Sequence, residues 1–168
     1  MNENYIVING KKIELTEEQL RQLGIEPGKK RKNPFEIVER GENYFFVNKY
    51  GDINNSVQCD DAEDDCVLHG ANYFNDESFA MQVALHHLLY RKLLKFSYDN
   101  EQDDTQVWDE INVAHYFIVY NYFTGKFSVD ATCGHKGNAV YFSSEEGAKR
   151  AIKEVVDPFM KEHPDFVW

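Results

Sequence analysis

The residues with the clearest capacity for chemistry are the cysteines and their neighbouring histidines. Cys59, Cys66 and His69 lie close together, and Cys133 with His135 makes a second pair. Zinc prefers thiolate and imidazole in a tetrahedron, so the five form a candidate metal site if the two loops converge. Their spacings are not the short Cys-x-x-Cys pairs of a finger or ribbon. The alternative is small thiol fillers beside loop histidines. Nucleophilic chemistry has less support, because no Gly-x-Ser-x-Gly elbow, P-loop, dinucleotide fingerprint or His-Glu-x-x-His occurs. Cys133 beside His135 would still need an orienting acid from the fold. His86 and His87 project about 100° apart on a helix and cannot serve one metal in the i, i+4 manner. His87 falls on an apolar stripe and reads as a core residue. The expectation is a protein with no catalytic residues and no cofactor.

Carboxylates are the other abundant reactive type. The chain has 168 residues, with 29 Asp and Glu against 18 Lys and Arg and a formal net charge of −11. Residues 59–110 hold thirteen acidic and three basic groups, while the flanking segments are near neutral. Two clusters dominate: Asp60, Asp61, Glu63, Asp64 and Asp65, then Asp99, Glu101, Asp103, Asp104, Asp109 and Glu110. Such a surface repels phosphates, which makes direct nucleic-acid binding unlikely there and suits a basic partner instead. The bland alternative is a pair of solvated loops that maintain solubility. Lys29-Lys30-Arg31-Lys32 is the one opposite run, read as a linker with nucleic-acid contact as its alternative.

Tyrosines form a third candidate. A strand from His115 to Tyr122 places Tyr116, Ile118, Tyr120 and Tyr122 on one side, because side chains alternate. Its other side, with His115, Phe117 and Val119, is also apolar-rich and must be covered or available. Tyr116, Tyr120 and Tyr122 could anchor a protein partner or a second copy of the chain. Packing inside the chain is the alternative; base stacking would require basic residues that these strands lack.

These candidates need a frame. Tyr5-Ile6-Val7-Ile8 and Lys12-Ile13-Glu14-Leu15 flank Asn9-Gly10, a hairpin signal. Thr16 then caps a short helix that Gly24 ends. The chain divides into a hairpin-helix appendage (1–24), a basic linker (25–33), a first β-β-β-α unit (34–98), an acidic connector (99–110) and a second β-β-β-α unit with a tail (111–168). In the first unit, a hairpin turning at Gly51 precedes an acidic loop, a third strand around Val67 to Phe74 and a helix from Asp76. The second follows the same order through Thr124-Gly125, Ala139 to Phe142 and a helix from Ser144, with Ser143 and Glu146 as a capping box. The fold class is therefore α+β, with antiparallel sheets packed on helices. The helix holding Phe79, Val83, His87, Tyr90 and Leu94 is broad enough in its apolar face to lie between both sheets. Phe166 to Trp168 should pack back onto the core.

The longest apolar-rich stretch, Phe79 to Tyr98, carries His86, His87, Arg91, Lys92 and Lys95 and does not read as a membrane span. Met1-Asn2-Glu3-Asn4 lacks the features of a secretory leader, and three cysteines fit a reducing compartment, so the expected location is cytoplasmic.

From Asn33 onward the chain resembles a family of small uncharacterised proteins encoded by phages and prophages of Gram-positive bacteria. The resemblance rests on Asn33-Pro34-Phe35-Glu36, Gly41-Glu42-Asn43-Tyr44-Phe45-Phe46, Asn72-Tyr73-Phe74, Leu94-Lys95-Phe96-Ser97 and the closing run Pro158 to Trp168. Where this chain has Leu94, the family has Trp. The resemblance implies a phage origin, hence the cytoplasm of a bacterial host, and brings no catalytic residues. Together with the acidic clusters it suggests a protein that engages and inhibits a basic host nucleic-acid-handling protein, such as a defence nuclease, in the anti-CRISPR or DNA-mimic manner. A nucleic-acid-binding accessory factor and a structural, oligomerising phage protein are the alternatives.

Overall fold

The computed structural model describes residues 5–8, 11–14, 33–101, 108 and 112–168. Two compact units divide it, Met1–Glu36 and Ile37–Trp168. In the first, β1 (Tyr5–Ile8) and β2 (Lys11–Glu14) pair antiparallel, with Tyr5 opposite Glu14 and Ile8 opposite Lys11. The Asn9-Gly10 turn, the helix expected after Thr16 and the basic run Lys29 to Lys32 lie outside the described residues.

The second unit opens with β3 (Asn43–Val47) and β4 (Ile53–Val57), an antiparallel pair with Val47 opposite Ile53. Asn48 closes their turn: its Oδ1 accepts the N–H groups of Tyr50 and Asp52 at 2.8 and 3.1 Å. Gly51 sits at φ +94°, a conformation that costs glycine no Cβ clash.

The third strand expected around Val67 to Phe74 is not formed, and Ala62–His69 is instead a helix, α1. Local chemistry explains the change. Asp61 caps the helix, Glu63, Asp64 and Asp65 fill its first turn where negative charge complements the dipole, and Gly70 ends it. The sheet edge is completed by minimal means. Phe45 and Phe74 exchange one pair of backbone hydrogen bonds, at 2.7 and 2.9 Å. Asn72 accepts from the Val47 N–H at 2.9 Å and donates to the Val47 carbonyl at 2.8 Å, standing in for a strand residue.

Helix α2 (Glu77–Glu101) follows, then the sheet β6-β5-β7, formed by β5 (His115–Asn121), β6 (Lys126–Thr132) and β7 (Tyr141–Phe142). The central strand pairs Ile118 with Val129 and Tyr116 with Phe142. In both halves a hairpin is joined by a short segment paired to its first strand, and a helix comes next. The helical elements that precede and follow these segments differ between the halves.

Ser144, rather than Ser143, caps α3 (Glu145–Ala151), accepting the Gly147 N–H at 3.0 Å. A π-helical turn (Ile152–Val156) leads into α4 (Asp157–Glu162). Pro158 accounts for the wide turn: it cannot donate to the carbonyl one turn back and its ring crowds that position.

As the breadth of its apolar face suggests, α2 contacts β3 and β4 as well as β7 and the C-terminal helices. His87, expected in the core from its place on the apolar stripe, is exposed instead, because the buried face of α2 runs through Ala80, Ala84, Leu89, Leu93 and Phe96. Leu89, Leu93 and Phe96 of α2 share one buried cluster with Ile118, Phe142, Val156 and Phe159. The tail returns to this core through Phe166, and Gln82 fixes it by donating to Asp165 O and accepting from Val167 N. Among the described residues, no helix is long and apolar enough to cross a membrane.

Phe142 is 1% exposed at the meeting of sheet and helices. Phe142→Ala should lower the unfolding free energy by about 3–5 kcal/mol through lost burial and a residual cavity, measured as a shift of the urea midpoint at unchanged slope.

Candidate acidic interface

The acidic cluster after β4 separates into structural and free carboxylates. Asp61 Oδ1 accepts the N–H groups of Glu63 and Asp64 at 2.9 and 3.1 Å. Asp64 returns the interaction, so the two acids form a capping box. Asp64 is only 2% exposed, and its Oδ2 accepts the backbone N–H groups of Cys59, Asp60 and Asp61 at 2.8, 2.7 and 3.3 Å. Burial pushes this carboxyl up. The opposing donors, Cys59 N–H first, then the Tyr44 hydroxyl and the other two amides, outweigh it and hold the group below its ordinary range. Tyr44 is fully buried, with its hydroxyl beside Asp64 and Ser56 but short of formal hydrogen-bond geometry; burial pushes the phenol up to about 12.

Beneath this turn lies a polar network. Tyr73 stacks on Tyr44 at 4.3 Å and donates its hydroxyl hydrogen to Gln58 Oε1 at 2.9 Å. The Tyr73 hydroxyl oxygen accepts the Val38 N–H at 3.2 Å, and Gln58 Nε2 donates to Asp60 Oδ1 at 2.9 Å. Asp60 takes φ +62°, a left-handed conformation that aspartate tolerates better than most residues.

Asp60, Glu63 and Asp65 face solvent, and Asp61 does so too while its Oδ1 caps the helix. Two further acids join them that their position in a charge-neutral N-terminal third concealed. Gly41 N donates to Gln58 O and Gln58 N to Glu42 O, both at 2.9 Å, which sets the loop of Glu39 and Glu42 alongside residues 58–60. Segments 39–42 and 60–65 hold seven acidic residues and one basic residue, Arg40. Arg40 lies 3.9 Å from Asp60, with both side chains well exposed, so screening leaves their attraction weak.

In the second cluster, Asp99 is exposed and paired with Lys95, and Glu101 ends α2. Asp103, Asp104, Asp109 and Glu110 lie outside the described residues.

The tyrosines of the β5 face differ in their surroundings. Tyr116 is half-buried against the core, together with Phe127, Val129 and Trp168. Tyr120 packs on Phe127 at 4.8 Å, and Phe127 on Trp168 at 4.9 Å. Tyr116 and Tyr120 are both half-buried on that side. Tyr122 is exposed at the β5–β6 turn, where its hydroxyl donates to Trp168 O at 2.6 Å. On the opposite side of β5, Trp108 stacks on the buried His115 at 3.7 Å, and Phe117 meets Tyr141, its partner across the sheet, at 5.6 Å.

The proposed zinc convergence is likewise not formed: among the described residues, no three His, Cys, Asp or Glu side chains are placed to hold a metal ion. Cys59, Cys66 and Cys133 are exposed free thiols. His69 instead contacts its own helix, with Nδ1 2.8 Å from Asp65 O, and His135 accepts no such role, its backbone N–H donating to Thr132 Oγ1 at 3.2 Å.

Comparison with protein-family models, with curated proteins and with solved structures finds no match.

Asp64 makes the turn acid-sensitive. Its folded pKa lies below the unfolded value of about 3.9, so its contribution is fully present above that pH and is lost as pH falls through the folded pKa. Urea unfolding at pH 3 and pH 6 should show a smaller acid-induced loss of stability in Asp64→Asn than in the wild type. An equal loss would assign acid sensitivity to other groups.

Proposed function

We propose that this chain is an acidic binding protein that engages a basic, nucleic-acid-handling host protein and blocks its nucleic-acid surface, in the manner of DNA-mimic or anti-CRISPR inhibitors. The observation that carries the reading is the carboxylate surface of Glu39, Glu42, Asp60, Glu63 and Asp65 on a turn held rigid from below. Fixed carboxylates resemble a phosphate array in sign and raise the rate and selectivity of encounter with a basic groove. Their support is preorganised, because Asp61 and Asp64 already satisfy the backbone donors of the turn. The likeness to phage-encoded proteins supplies the biological setting, a bacterial cytoplasm containing defence nucleases.

Asp99 and Glu101 add to the reading. A helix C-terminus favours positive side chains, and α2 has no basic residue in its last turn. Negative charge there opposes the helix dipole, which is consistent with selection for charge rather than for helix stability.

The test must spare Asp61 and Asp64, whose loss would disturb the fold. A variant combining Glu42→Gln, Asp60→Asn, Glu63→Gln and Asp65→Asn should keep the wild-type circular dichroism spectrum. Affinity pull-down from nuclease-treated host lysate should retain a basic nucleic-acid-handling protein on the wild type. With that protein purified, the variant should bind at least about tenfold more weakly and with a shallower salt dependence. Equal binding by the two proteins would overturn the reading, as would recovery of nucleic acid alone.

A further inference from the structure

The sheet β6-β5-β7 ends on one side at β6, which among the described residues pairs with β5 alone. Edge strands expose unpaired backbone groups, and proteins usually blunt them with short length, proline, bulges or charge. β6 is blunted little. It runs seven residues in unbroken register with β5, has no proline, and turns Phe127 and Val129 inward. Its charges are Lys126 and Asp130, of opposite sign, in a chain whose net charge is −11. The edge of the other hairpin, β4, has five residues and no charge to set a register.

Local bonds show which backbone groups face outward. The Ala131 N–H donates to Asp130 Oδ1 at 2.8 Å, so it points away from β5. Backbone direction alternates along a strand, so the amides and carbonyls of Phe127 and Val129 point the same way. Across the sheet, the Tyr141 carbonyl accepts from Ser97 Oγ at 3.1 Å, which fits the same phase for β5. On the turn side, the Gly125 N–H already donates to Asn121 O at 2.8 Å. The donors left open on this edge are therefore those of Phe127 and Val129. The side chains add a second observation. Lys126, Ser128 and Asp130 are exposed on one side of the strand, and neither charge has an ionic partner among the described residues. Four residues of extended chain, about 13 Å, keep Lys126 and Asp130 from pairing with each other.

We propose that the chain forms a two-fold homodimer in which β6 pairs antiparallel with β6 of a second copy, centred on Ser128. In that register Phe127 stands opposite Val129 of the other copy, and every open N–H meets an open carbonyl. Lys126 stands opposite Asp130, and the two-fold axis repeats the ion pair. Gly125 falls opposite Ala131 and brings no side chain against the carboxylate that caps its N–H. Moving the axis to Val129 would set Lys126 against Thr132 and Asp130 against Ser128, leaving both charges unpaired. The charge pattern of the strand thus selects a second copy of itself over an arbitrary peptide.

The experiment is sedimentation equilibrium on the full chain, with circular dichroism as the control for folding. The wild type should dimerise reversibly at micromolar concentration. Lys126→Glu and Asp130→Lys each turn both ion pairs into like-charge pairs, and each should weaken self-association about tenfold. Mixed in equal amounts, the two variants should form a heterodimer with about the wild-type affinity, because each copy then supplies the charge the other needs. Ser128→Lys sets two ammonium groups face to face at the axis and should also weaken the dimer about tenfold. A wild type that stays monomeric up to about 1 mM would overturn the proposal. So would a dimer indifferent to Ser128→Lys, or variants that do not recover on mixing. No host protein enters these measurements, so they leave the acidic-interface reading unaffected.

Discussion

The Ile37–Trp168 unit depends on one burial constraint: neither of its sheets can hide an apolar face without α2. The first is a two-stranded hairpin extended by a single residue pair, and such a hairpin is marginal alone in water. The second has three strands, but β7 contributes only Tyr141 and Phe142. Helix α2 lies against both, which explains why its apolar residues spread wider than one stripe. It also explains why both sheets belong to one unit rather than two domains. A fully buried Ser97 on α2 donates to Tyr141 O at 3.1 Å, tying the shortest strand to the shared helix by a polar contact as well.

What could be read from the sequence follows from the range of the interactions involved. Asn9-Gly10, Gly51 and Thr124-Gly125 mark hairpins through local backbone preference. Alternation in β6 predicts Phe127, Val129 and Ala131 inward; the first two are half-buried, whereas Ala131 is exposed near the strand end. The C-terminal return of Phe166 follows from its apolar character. The misread segment, Val67 to Phe74, shows the limit. Its apolar residues suggested a strand, yet the Asp61-x-x-Asp64 capping box immediately upstream is a local helix-start signal that could have been recognised. An acidic run was read as undifferentiated charge, although two of its five members are the most constrained residues in the turn. Glu39 and Glu42 were illegible for a different reason: their proximity to Asp60 arises from hairpin pairing across the chain, which a segment-by-segment charge count cannot detect.

The division of labour among the acids bears on how such a surface is maintained. Clustering like charges costs stability through mutual repulsion, and an unsupported loop would relieve it by spreading. Here Asp64 draws three backbone amides to one buried oxygen, so the loop cannot spread without stranding a carboxylate and its donors. Glu63 and Asp65 are then exposed on the first turn of α1, where the helix dipole offsets part of their repulsion. Structural acids and surface acids therefore support one another.

Two side-chain amides complete the argument by substituting for absent strand partners. Asn72 satisfies the N–H and C=O of Val47, while Gln82 satisfies Val167 N–H and Asp165 C=O. An edge or tail without such a partner leaves backbone groups to solvent and gains little from ordering. Each amide supplies two hydrogen bonds, a net gain of about 1 kcal/mol per bond, and neither leaves a periodic trace in sequence. Their positions matter more than that sum. Asn72 directly precedes Tyr73, the stacked tyrosine whose hydroxyl holds Gln58 beneath the acidic turn. Gln82 binds the tail on either side of Phe166, which packs into the core. The acidic turn and the C-terminal tail are thus anchored by a clasp of the same kind, a polar side chain doing the work of a strand where the sheet has run out.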